Sequence, residues 1–281
     1  MTKVTPEMVR LKLSQLGLVL SPEINYRLET MFPRLDGIFL DRKIRKKFQQ
    51  VKEIEPLLKA MLLKNEQVLF VTKGKIEYHE SIVVLTNLRM LCMPVNSKEV
   101  PHQPFWFIYY TQVVDLKKID SFIPRIRLKD GGKVSFQRFQ DIDRKTISSV
   151  SLNAVKLLEE KGIDPSVSQS RGNMCSHCFE VVAKHEFECD ACGATFWEPF
   201  EVGIRSLIFP SWGDFAMKDY VIAYSKLSFT VFIWVGIAFA LANGEFFYAV
   251  LVFVTTNCGD AVFTYNSAMN ARYLKQLPDN D

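Results

Sequence analysis

The sequence predicts an α+β multidomain protein of 281 residues. N-terminal helices come first, then short strands closed by a helix, a four-cysteine metal module and a C-terminal transmembrane helical hairpin. Three observations predict this. Cys175, Cys178, Cys189 and Cys192 form two CxxC pairs with residues 179–188 between them. Period-two alternation with hairpin turns fills the middle of the chain. Two long apolar runs lie near the C-terminus. The net charge of +4 is too small to imply nucleic acid by itself.

Residues 1–56 read as a helical region. Thr5-Pro6-Glu7 is a capping residue followed by proline at the first helical position. Gly17 suits a stop, Ser21-Pro22-Glu23 repeats the start, and Pro33 and Gly37 interrupt the second helical stretch. The apolar stretch at 16–20 is too short for a secretory signal. Arg42, Lys43, Arg45, Lys46, Lys47 and Lys52 then crowd together. Such a cluster is either a solvated helix face or a surface for anionic lipid headgroups.

Residues 57–161 change period. Strands are expected at 67–71, 81–86, 89–93, 105–110, 112–119, 122–129 and 133–139. Asp130-Gly131-Gly132 is a hairpin turn, and Thr86-Asn87 is another. A helix closes the region, capped by Asp141 and ended by Gly162. Its stripe of Ile147, Val150, Ala154, Leu157 and Leu158 faces a core. Residues 162–173 are polar and aperiodic and read as a linker.

The run SIVVLTNLRMLCM, residues 81–93, resembles the strand–turn–strand of bacterial pleckstrin-homology-like (PH-like) and GRAM-type domains. There Thr-Asn or Thr-Asp precedes a leucine and an arginine. The resemblance implies a PH-like β-barrel with a C-terminal helix over 57–161, and binding of lipid or protein rather than catalysis. Arg125, Arg127, Lys129 and Lys133 flank one hairpin, as solvated residues or as a face for headgroups.

Residues 174–200 resemble a zinc ribbon. Four thiolates suit one tetrahedral, structural Zn²⁺ and leave no open position for a catalytic water. Rubredoxin-like iron has similar ligand spacing. His177 is read as a bystander, and His185 has no assigned role. Cys92 and Cys258 lie in apolar runs and are read as packing residues. Lys184 is the one lysine or arginine in this segment, against Glu180, Glu186, Glu188, Asp190 and Glu198, so nucleic acid is not an expected partner.

Residues 201–220 are expected at the membrane interface, anchored by Trp197, Trp212 and Tyr220. Residues 221–265 form the transmembrane hairpin, with Lys226 snorkelling to the interface and Asn243-Gly244-Glu245 as the turn. The apolar run leading into Pro210-Ser211-Trp212-Gly213 is similar to a motif of small bacterial membrane proteins, with Ser211 where that motif has glycine. Over 203–265 this implies membrane insertion. Lys218, Lys226, Arg272 and Lys275 flank the spans and the turn is acidic. Both termini and the ribbon are therefore expected in the cytoplasm, with 266–281 a cytoplasmic tail of an inner- or plasma-membrane protein. Asp260 stands in the second run, either interfacial or a functional group at membrane depth.

No phosphate-binding, metalloprotease or serine-hydrolase motif is present. The expected function is a membrane-anchored adaptor that binds a membrane or cytosolic protein, or lipid headgroups. The alternative is part of a transporter or membrane enzyme that uses the hairpin and Asp260.

Overall fold

A computed structural model describes residues 5–22, 24–32, 40–77, 79–96, 99–116 and 125–277. The chain divides into two compact units, residues 1–184 and 185–281.

The first unit opens with α1 (Pro6–Gln15), α2 (Leu28–Met31) and α3 (Leu40–Met61). Thr5 Oγ1 accepts the Met8 N–H at 3.4 Å and caps α1, with Pro6 at its first position. Pro33 and Gly37 lie outside the described residues. The strands are β1 (Val68–Ile76), β2 (His79–Thr86), β3 (Arg89–Pro94), β4 (Phe105–Tyr109), β5 (Arg125–Arg127) and β6 (Lys133–Gln137). Helix α4 (Asp141–Glu160), β7 (Gly172–Met174) and β8 (Val181–Val182) complete it.

These eight strands make one curled, half-barrel sheet in the order β5-β6-β1-β2-β3-β4-β7-β8. Every pairing is antiparallel. The sheet is covered on both faces. Val84, Leu91, Met93 and Phe107 alternate onto a core with Val9, Leu13, Ile44, Val51 and Leu58 of the N-terminal helices. Val83, Leu85, Met90 and Ile108 point the other way, onto Ile147, Ala154 and Leu158 of α4. Hence β3 is buried along its whole length, with no polar-out alternation. Leu157, assigned to the α4 stripe, is exposed. Ile147, Ala154 and Leu158 define the buried face, and the residue beside Leu158 turns about 100° away. Cys92 is a packing residue, and burial pushes its thiol well above the ordinary range.

The Thr86–Arg89 turn explains its own residue types. Thr86 Oγ1 accepts the backbone N–H of Leu88 at 3.1 Å and of Arg89 at 2.9 Å. Asn87 Oδ1 accepts the Gln67 N–H at 2.9 Å. The Arg89 side chain turns into the core and meets Glu66 with two hydrogen bonds of 3.0 Å. It also donates to the Met61 carbonyl at 2.9 Å and stacks over the Phe107 ring. Both partners are essentially fully buried. The bidentate geometry is what makes two charges tolerable there.

The strands expected at 112–119 and 122–129 take a different form. Tyr110–Gln112 is a single 3-10 turn, Val113 makes one bridge to Leu128, and β5 covers 125–127. Residues 117–124 lie outside the described residues. The stretch expected to be linker ends in β7, which pairs with β4 through Phe105↔Met174 and Phe107↔Gly172. Gly172 is required there, because a Cβ would sit 2.3 Å from the Phe107 ring.

The second unit contains β9 (Thr195–Phe196), α5 (Pro199–Ile208), α6 (Trp212–Ala216), α7 (Tyr220–Ala242), α8 (Phe246–Asn270) and β10 (Leu274–Gln276). Residues 274–276 return to pair with β9. Helices α7 and α8 are long and apolar enough to cross a membrane. At 1.5 Å per residue α7 is about 34 Å long, against a hydrocarbon core of about 30 Å. Phe232, Phe239, Phe246 and Phe247 point outward, so these helices carry exposed apolar surface rather than burying it within the unit.

Removing either partner of the Arg89–Glu66 pair strands the other as a buried charge. Arg89→Ala or Glu66→Ala is expected to cost about 3–5 kcal/mol, measured by chemical denaturation.

Candidate metal centre and a buried ion cluster

The four cysteines converge. Their sulfur atoms all lie within 4.8 Å of one another, and no disulfide joins them. A tetrahedral zinc–thiolate site, with Zn–S near 2.3 Å, places its sulfurs about 3.8 Å apart, so the donor set fits one such ion. Cys175 and Cys189 are buried; Cys178 and Cys192 are half-buried.

Each CxxC turns in the same way. The Phe179 N–H donates to the Cys175 carbonyl at 3.0 Å, and the Gly193 N–H donates to the Cys189 carbonyl at 2.7 Å. The residue after the second cysteine is left-handed in both, Phe179 at φ 64° and Gly193 at φ 69°. The His177 N–H approaches Cys175 Sγ at 3.4 Å. Strand pairing carries the first turn: Cys175 N–H donates to the Glu180 carbonyl at 2.8 Å, and β7 pairs with β8. Cys189 N–H donates to the Ala194 carbonyl at 2.9 Å, beside a bridge from Glu188 to Thr195. The His177 and His185 side chains are exposed and stand outside the group.

The cationic residues of α3 separate into two sets. Arg42, Arg45 and Lys46 are exposed. Lys47 turns inward to an ion pair with Glu99, which also holds Lys73 at 2.7 Å. Burial, with Lys73 alongside, pushes Lys47 down to about 8. The side chain of Lys43 lies outside the described residues. On the β5–β6 hairpin, Arg125, Arg127 and Lys133 share the outward face, opposite Ile126 and Val134.

Asp260 is not isolated. Lys226, expected to snorkel, bends inward instead. Its Nζ donates to Asp214 Oδ2 at 2.7 Å and Thr264 Oγ1 at 3.0 Å, and lies 2.9 Å from Asp260 Oδ1. The other Asp260 oxygen accepts the Ser211 N–H at 2.7 Å. Ser206 Oγ donates to Thr264 Oγ1 at 3.0 Å, accepts the Gly213 N–H at 3.1 Å, and so ties α5 and α6 to α8. Burial pushes the Asp214 carboxyl up to about 6, with Lys226 pulling the other way. The close approach needs Gly213, where a Cβ would lie 2.3 Å from the Val202 carbonyl oxygen. Ser211, where the resembled motif has glycine, is left-handed at φ 69°. Asp214 and Thr264 carried no local signal. One clue to the Lys226–Asp260 pair was available. The two residues stand at nearly equal sequence distances on either side of Gly244, where a hairpin brings its arms together.

Comparison of the chain with known protein families, curated proteins and solved structures finds no match.

Metal analysis of the purified chain is expected to find one ion bound by thiolates. Cys175→Ser and Cys189→Ser should lose it, while Cys258→Ser keeps it. Gly213→Ala is expected to lower the thermal midpoint of the helical unit by forcing α6 away from α5; an unchanged midpoint would show that the contact is not tight.

Proposed function

We propose that this protein is a membrane-anchored adaptor. Unit 1, read as a PH-like domain, binds anionic lipid headgroups or an acidic protein surface. A structural Zn²⁺ ribbon lies between it and a transmembrane hairpin, with both termini on the cytoplasmic side. The observation that carries the reading is exposed positive charge on a chain with membrane-length helices. Arg42, Arg45 and Lys46 on α3, and Arg125, Arg127 and Lys133 on one face of the hairpin, are solvent-facing. Each cation near an anionic surface is worth about 1 kcal/mol, so several together give measurable binding. Cytoplasmic orientation is supported by the lysines and arginines flanking the spans and by the reducing conditions that thiolate ligands need.

The buried Asp214–Lys226–Asp260 cluster supports a second reading, a component of a membrane transporter or membrane enzyme. Charges at membrane depth are expensive and are often functional.

The two readings separate in one experiment. The full chain is purified from gently solubilised membranes, and co-purifying lipids and proteins are identified by mass spectrometry. Charge reversal at Arg42, Arg45 and Lys46 is expected to remove an anionic lipid or one specific protein while the metal content stays unchanged. If the recovered set is the same for both proteins, the adaptor reading fails through this face. Dependence on Asp260 instead favours the second reading.

A further inference from the structure

The ion cluster of the helical unit is unbalanced. Two carboxylates, Asp214 and Asp260, face one ammonium, Lys226. Asp214 is almost completely buried and the Asp260 side chain is about nine-tenths buried. The charged groups turned towards the cluster come from α6, α7 and α8; Asp219, next along the chain, caps α7 and accepts from the Tyr273 hydroxyl at 3.3 Å. On α5, Arg205 is paired with Glu201 and packs over the Trp197 ring. A leftover negative charge in so little water is costly unless a cation meets it.

Among the described residues, two buried side-chain oxygens on residues flanking Asp260 have no hydrogen-bond partner: Ser211 Oγ and Asn257 Oδ1. Both residues are more than nine-tenths buried. The Ser211 backbone N–H is bonded to the Asp260 carboxylate, which holds this residue next to that group. Asn257 lies one turn before Asp260 on the same side of α8, and its amide nitrogen donates to the Leu207 carbonyl at 3.1 Å. This places it at the break between α5 and α6. The last carbonyls of α5 end at the same break and add partial negative charge. A carboxylate, a hydroxyl and an amide oxygen at an interrupted helix are hard oxygen donors of the kind that hold alkali cations.

We propose that Asp260, Ser211 and Asn257 bind one alkali cation of sodium size at the α5–α6 break. Lys226 bridges Asp214 and Asp260, and its single positive charge leaves the two carboxylates one negative charge in excess, which the bound ion meets. The site is carried by the helical unit alone and does not depend on the adaptor reading.

The test is thermal unfolding of the full chain in detergent micelles, in NaCl against choline chloride at equal ionic strength, with ²³Na line width as a second readout. Sodium is expected to raise the midpoint saturably, on the order of 5 °C, and to broaden the ²³Na signal. Ser211→Gly deletes the hydroxyl and relieves a left-handed backbone, so it should fold at least as well while losing most of the sodium response. Asp260→Asn leaves Asp214 and Lys226 balanced and should respond to neither salt. Equal midpoints in sodium and choline, a response set by pH alone, or a sodium effect that survives in Ser211→Gly would each overturn the assignment.

Discussion

Covering the central sheet on both faces is the constraint that orders the first unit. Strands β2 and β3 have helices packed against either side, so a polar group left unpaired on either face is costly. The arginine–glutamate pair buried there is accordingly rich in partners. Arg89 meets Glu66 with two hydrogen bonds, a backbone carbonyl and an aromatic ring. That pair ties the start of β3 to the loop after α3, and so joins the N-terminal helices to the sheet they cover. The Thr-Asn-Leu-Arg run is thus a structural device.

The second unit handles its polar groups differently. Helices α7 and α8 present apolar surface outward, which suits lipid, and bury Thr230, Asn257 and Thr264 on the inside of the bundle. Lys226, Asp214, Thr264 and Ser206 form a connected set of hydrogen bonds rather than separate interfacial residues. Such a network fixes how the short helices α5 and α6 sit against α8, since breaking one link leaves another charge bare. Gly213 allows the backbones to come close enough for it.

Between these two kinds of core the chain carries four thiols in two matching turns. Four sulfurs within 4.8 Å have little to hold them together by themselves, and a metal ion bound there would supply the attraction. The first turn grows directly out of the sheet through β7, so strand pairing helps to set its shape.

The features that the sequence alone determined rest on short-range rules. Two CxxC pairs named the four cysteines that converge, because the spacing is a local geometric requirement. Length and uniform apolarity named the two long helices, and alternation with Asp130-Gly131-Gly132 named the β5–β6 hairpin. Tertiary structure decided the rest, because the relevant partners are far apart in the chain. No window of sequence joins Arg89 to Glu66, or Lys226 to Asp260. Nor does any window reveal that 172–174 completes a sheet begun near residue 68, or that Leu157 faces outward while Leu158 is buried. Periodicity reports one residue's solvent on average. A buried charge is settled by which opposite charge the fold brings within 3 Å of it.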